Sequence, residues 1–110
     1  MHAGLVRFAR AVRKDRGDTA VLALSIDDCD GRPVLDAVVR TADDAGTVRY
    51  VGASGLPTNS LSATGTRGEV VIFNVPGTSA DVIATIDGGV IARRVIPVHA
   101  NAVTGATLKP

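Results

Sequence analysis

The chain has two histidines, His2 and His99, and one cysteine, Cys29, so chemistry that needs an imidazole base or a thiolate must run through one of these three. A histidine base needs a group that orients it and a nucleophile within hydrogen-bond reach. His2 stands beside the N-terminus, and His99 follows the apolar stretch Val95 to Val98 with no acid next to it. Both read as solvent-exposed side chains. Cys29 lies between Asp28 and Asp30, whose charge disfavours the thiolate and makes it a poor nucleophile. Two readings of it stay open: a thiol half-buried at a strand end, or half of a disulfide with a cysteine elsewhere.

Asp27, Asp28 and Asp30, followed by Gly31, come nearest to a metal loop. An EF-hand needs ligands at alternating positions and a glutamate at the twelfth, and the register that begins at Ile26 places Ala37 there. The three carboxylates are therefore weak metal candidates, set against a solvated hairpin tip. Arg16-Gly17-Asp18 is the tripeptide that integrin receptors recognise, and it is equally ordinary turn chemistry. Lys14 and Lys109 are the only lysines, and neither falls where an intramolecular lysine–asparagine cross-link would need it, in the first sandwich strand. Arg93-Arg94 interrupts an apolar run, so one of the two must face inward or a bulge must re-aim it. As a functional pair they would contact an acidic partner.

The elements that must position these residues are strands. Thr66 to Gly77 contains Val70, Val71, Ile72, Phe73 and Val75, apolar on both faces, as befits a strand inside a sheet. Gly68 opens the run, Pro76-Gly77 closes it, and Phe73 is expected to fill the inter-sheet core. Ala20 to Asp27 alternates, with Leu22, Leu24 and Ile26 on one face. Strands are also expected over Val34 to Thr41, Thr47 to Val51 and Asn59 to Thr64, the last with Leu61 and Ala63 inward. Ala80 to Asp87 points Val82, Ala84 and Ile86 inward; Asp87-Gly88-Gly89 then forms a hairpin turn into Val90 to Val98. Ala102 to Leu108 would add an edge strand. Seven or eight strands separated by turns about every ten residues predict an all-β, two-sheet antiparallel Greek-key sandwich.

Residues 1–18 stand apart as an N-terminal extension, an added strand or arm, ahead of a sandwich domain over 19–110. Within it, residues 5–13 read as a helix, with Leu5, Phe8 or Ala9, and Val12 opposite Arg7, Arg10 and Arg13, or as a strand. The Gly-containing loop before Ala20 favours the strand, in a hairpin with Ala20 to Asp27.

Asp28 to Val39, D-C-D-G-R-P-V-L-D-A-V-V, and Thr64 to Gly77, T-G-T-R-G-E-V-V-I-F-N-V-P-G, followed by the strand through Asp87, resemble the carboxypeptidase regulatory-like domains. These share the transthyretin-like (prealbumin-like) β-sandwich. The resemblance covers about residues 20–98, and Asp36 stands where the family usually has glycine. It implies a non-enzymatic accessory, scaffolding or ligand-contacting module of secreted or surface proteins, bacterial ones included. The same fold also includes hydroxyisourate hydrolases, but their Y-R-G-S type ending is replaced here by T-L-K-P.

The totals agree with a binding or structural module. One domain of 110 residues with a net charge of +1 and three aromatic residues gives no electrostatic or stacking case for nucleic acid. No apolar run approaches the roughly 20 residues of a membrane-spanning helix, and the N-terminus has no signal-peptide core. No catalytic residue and no cofactor are expected. Positive mean hydropathy (+0.24), with apolar residues at the outward positions Val21, Ile83, Ile91 and Val95, points to a covered surface and a protein partner, further copies of the chain included. A second reading is a small-ligand or carbohydrate binder that uses the loop 52–59, beside Tyr50.

Overall fold

The computed structural model describes residues 19–110, and among them it holds eight strands and no helix. In chain order these are β1 (Ala20–Ile26), β2 (Val38–Thr41), β3 (Thr47–Val51), β4 (Pro57–Thr58), β5 (Glu69–Val75), β6 (Ser79–Ile86), β7 (Gly89–Pro97) and β8 (Val103–Leu108). They form a five-stranded sheet, ordered β4-β3-β5-β1-β8, and a three-stranded sheet, ordered β2-β6-β7. The chain is an all-β sandwich, and β5, the most apolar strand, lies in the middle of the larger sheet as its two-faced pattern requires.

Period-two geometry sorts the side chains. Leu22, Leu24 and Ile26 of β1 and Val70, Ile72 and Val75 of β5 meet Val39 of β2, Val82 and Ala84 of β6, and Ala92 and Ile96 of β7 in the central core. Val71 and Phe73 have the opposite parity. Phe73 therefore lies half-buried on the outer face of the five-stranded sheet and not between the sheets as expected. A bulge permits Val75 to return inward: Ala20 pairs with Val75 but Leu22 with Ile72, and Asn74 in the extra stretch takes a left-handed φ of 59°. The aromatic ring between the sheets is Tyr50. Its hydroxyl accepts a bond from the Val39 N–H at 2.9 Å and lies 3.4 Å from the Val39 carbonyl, so it ties β3 to β2 of the other sheet.

Several expected boundaries move. Asp36 adopts φ 65°, which breaks the extended run from Val34 and leaves β2 to begin at Val38. An aspartate holds this left-handed turn, a conformation that few residues other than glycine adopt readily. No strand spans Asn59 to Thr64; only Pro57 and Thr58 pair with β3, and Leu61 is exposed. That stretch is anchored through Thr64, whose hydroxyl donates to the Val34 carbonyl and accepts from the Ala37 N–H. β8 lies at the edge of the five-stranded sheet as expected, but it pairs with β1 in parallel, a departure from an all-antiparallel sandwich. The hairpin expected between residues 5–13 and β1 has its first arm outside the described residues, and β1 is bonded along both edges, by β5 and β8. The extension 1–18, with His2, Lys14 and Arg16-Gly17-Asp18, lies outside the described residues as well.

Gly68 locks one end of the larger sheet. Its φ is 62°, and a Cβ there would stand 2.9 Å from the Ile26 carbonyl oxygen, the Pro33 side chain and the Val34 nitrogen. Its own carbonyl accepts from the Ile26 N–H at 2.7 Å, so three segments meet at a point with room only for hydrogen.

Candidate interaction surface

The outer face of the three-stranded sheet carries the arginine pair. The Asp87-Gly88 turn has both residues at positive φ, 52° and 81°, the conformation that a two-residue hairpin loop needs. Simple counting back from that turn would set Arg93 opposite Val82, facing the core. A bulge prevents this: Thr85 pairs with Val90 but Ala84 with Ala92, leaving Ile91 as the extra residue packed against the core. Arg93 then pairs with Ile83 on the outer face, while Arg94 pairs with Val82 and takes the inward parity.

Each arginine has a definite acceptor. Arg93 grips Asp81 with two bonds, Nε to Oδ1 at 3.0 Å and Nη2 to Oδ2 at 2.6 Å. The guanidinium holds the Asp81 carboxyl below its usual range, and the carboxylate raises the arginine in turn. Arg94, on an edge strand, reaches round the rim and donates to the Thr107 carbonyl of β8 at 3.0 Å, bridging the two sheets.

The strand registers arrange this face in three rows. Val38, Thr85 and Val90 form the first, Arg40, Ile83 and Arg93 the second, and Asp81 and Val95 the third. Ile83 is buried between two arginines whose aliphatic stems suit such a cover. Val38, Val90 and Val95 are 44, 62 and 61% exposed. Of the four outward apolar positions read from the sequence, Val95 alone is open; Val21 and Ile83 are buried, and Ile91 turns to the core.

The other candidates separate. Asp28 folds back on its own loop, its Oδ1 accepting from the N–H groups of Asp30 and Arg32 at 2.8 and 3.0 Å. Those backbone bonds, the one from Arg32 foremost, lower its pKa. Asp27 accepts instead from the Ser25 hydroxyl, and Asp30 is exposed. The three carboxylates thus do not converge, and no cluster of three metal-binding side chains occurs among the described residues. Cys29 is a free thiol exposed at the loop tip, not half-buried at a strand end, because the bend from Asp28 to Arg32 pushes it outward. His99 is exposed too, in the turn before β8.

The loop 52–59 turns on bonds from the Gly52 N–H to the Leu56 carbonyl and from the Gly55 N–H to the Gly52 carbonyl. Tyr50 offers it no stacking platform, since its ring is buried between the sheets. A shallow cleft of about 220 Å³ opens elsewhere, at the end of the sandwich between Thr41, Asp43, Pro76, Ser79 and Asp81. Asp81 is the functional neighbour that the sequence reading missed; the bulge hid it, because without the bulge Arg93 would lie opposite Val82 with the inward parity, on the other face from Asp81.

The fold and this face define the class, an all-β sandwich module with a mixed apolar and basic outer sheet. No profile of a known protein family matches the chain, and no curated protein matches it. No helix among the described residues is long and apolar enough to cross a membrane.

Proposed function

We propose that the chain is a non-catalytic β-sandwich module that binds protein, including further copies of itself, through the outer face of its three-stranded sheet. The observation that carries this reading is the trio Val38, Val90 and Val95, left open around the paired Asp81 and Arg93. Three exposed valines beside an arginine already held in place by its carboxylate offer more apolar contact area than a solvated face needs. Arg93 and Arg94 are the contacts at its basic centre and rim, and the partner's face is acidic or neutral. The resemblance to carboxypeptidase regulatory-like domains supports a place in a bacterial surface or secreted assembly.

The test is light scattering after size exclusion on the full chain across a range of concentrations. Association is expected, and the double variant Val38→Asp, Val90→Asp is expected to return the chain to a monomer. A native chain that stays monomeric at every concentration, with no dependence on these valines, would remove the self-association part of the proposal.

A further inference from the structure

The edges of the two sheets are finished differently. β4 is two residues long and offers no ladder. On β2 the outward N–H and C=O of Val39 meet the Tyr50 hydroxyl, and just before it those of Ala37 meet the hydroxyl and the N–H of Thr64. β8 gives its Thr107 carbonyl to Arg94. β7 is nine residues long and, among the described residues, pairs with β6 alone.

The bond from the Val98 N–H to the Thr78 carbonyl sets which way the backbone groups of β7 face, since bonded pairs alternate along an antiparallel ladder. Ala92, Arg94 and Ile96 turn their N–H and C=O groups to β6; Arg93 and Val95 turn theirs away. The Asp81 carbonyl, opposite Val95, agrees with this, because it accepts from the Ala42 N–H on the β2 side. Arg93 and Val95 therefore present two donors and two acceptors along an exposed edge. The bulge at Ile91 bounds it on one side and Pro97, which has no N–H, on the other.

We infer that this edge takes an extended segment of a partner protein as a further strand of the smaller sheet, with apolar side chains beside Val95 and carboxylates facing Arg94. The inference rests on the protein-binding reading above and gives it a geometry. Side chains of an added strand alternate between the faces as those of β7 do. Outward ones stand next to Val95, 61% exposed, and to the stem of Arg93, whose charge Asp81 already holds. Inward ones stand next to Arg94, whose guanidinium has a neutral carbonyl as its acceptor. A carboxylate there supplies a charged acceptor instead. A second copy fits less well, since pairing two β7 strands brings the Arg93-Arg94 of each chain to one joint and sets like charge beside like.

The test is NMR on the full chain with an acetylated, amidated heptapeptide of alternating valine and glutamate, and a valine–lysine peptide as control. Without peptide, the amides of Arg93 and Val95 are expected to exchange with solvent as fast as those of loops, while that of Val39 is protected by Tyr50. The glutamate peptide should shift both edge amides and, with about nine-tenths of the chain bound, slow their exchange about tenfold. The lysine peptide should do neither. Val95→Pro removes one outward donor and leaves the bonds to β6 whole, so it should abolish binding while the amides of Arg94 and Ile96 stay protected. Arg94→Gln should weaken binding about threefold and reduce its salt dependence. Binding of neither peptide, equal binding of both, binding that survives Val95→Pro, or edge amides protected without peptide would each overturn the inference. Protection that grows with protein concentration would overturn it in favour of a second copy. If the peptide fails to bind while valine-dependent association persists, the edge falls and the recognition face stands.

Discussion

The two outer faces of the sandwich obey the same period-two rule and meet opposite fates. On the five-stranded sheet Val21, Ala23, Val51 and Val71 are sealed, so every residue of β1 is buried. On the three-stranded sheet β2 alternates exposed and buried, and Val38, Val90 and Val95 face outward. An outward apolar side chain therefore carries two meanings here. In the first sheet it belongs to a second, buried apolar cluster; in the second it stands open to solvent.

The strongest way to break this comparison is to place a charge on each face. Val71→Asp is expected to cost about 4 kcal/mol, because it buries an unpaired carboxylate. Val95→Asp should change stability by less than about 0.5 kcal/mol. Chemical denaturation of both variants decides it: comparable losses would mean that the faces do not differ.

Gly68→Ala probes how firmly the larger sheet is specified at its end. Close contacts with two other segments, at Ile26 and at Pro33-Val34, added to a left-handed φ, predict a loss of about 3 kcal/mol, measured by the same denaturation. A loss under about 1 kcal/mol would show that the junction yields. Tyr50→Phe tests the tie between the two sheets and should cost about 1.5 kcal/mol, since the Val39 N–H would be left buried without its acceptor. A neutral outcome would make the hydroxyl dispensable.

The smallest expected effect belongs to Asp81. Its folded pKa is lowered by Arg93, so its stabilising contribution is present above the unfolded value of 3.8 and disappears as pH falls through the folded value. Asp81→Asn should slightly lower stability near neutral pH and flatten the acid limb below about pH 4, an effect weakened by salt because the pair is exposed. Superimposable pH profiles for the two proteins would show that the pair contributes nothing.

The strands with clean alternation were legible from the residues alone. β6, its Asp87-Gly88 turn and β7 follow from local pattern, because adjacent strands of a hairpin need no knowledge of distant partners. β5 was legible as a central strand for a similar reason, being apolar on both faces. What escaped was parity wherever the ladder gains a residue. The bulge at Asn74 left Phe73 outside and Val75 inside, and the bulge at Ile91 exchanged the roles of Arg93 and Arg94. Bulges are set by the fit of a strand to its neighbour, and that information lies elsewhere in the chain. The region from Val34 to Thr64 was read least well, since it is held by single bonds from Thr64 and by a left-handed Asp36 more than by ladders. Of the candidate site, Arg93 and Arg94 were visible as an interruption, whereas Asp81 and the valine perimeter needed the register.

The parallel pairing of β1 with β8 has a mechanical consequence. The chain arrives at β1 beside Val103 and leaves β8 beside Ile26, at opposite ends of adjacent strands about 20 Å long. A pull between those two points slides the strands past each other, so the whole ladder from Val21 to Ile26 bears the load at once and cannot unzip bond by bond. Strung between other segments under tension, this sandwich is built to resist stretching along the direction of its own first strand.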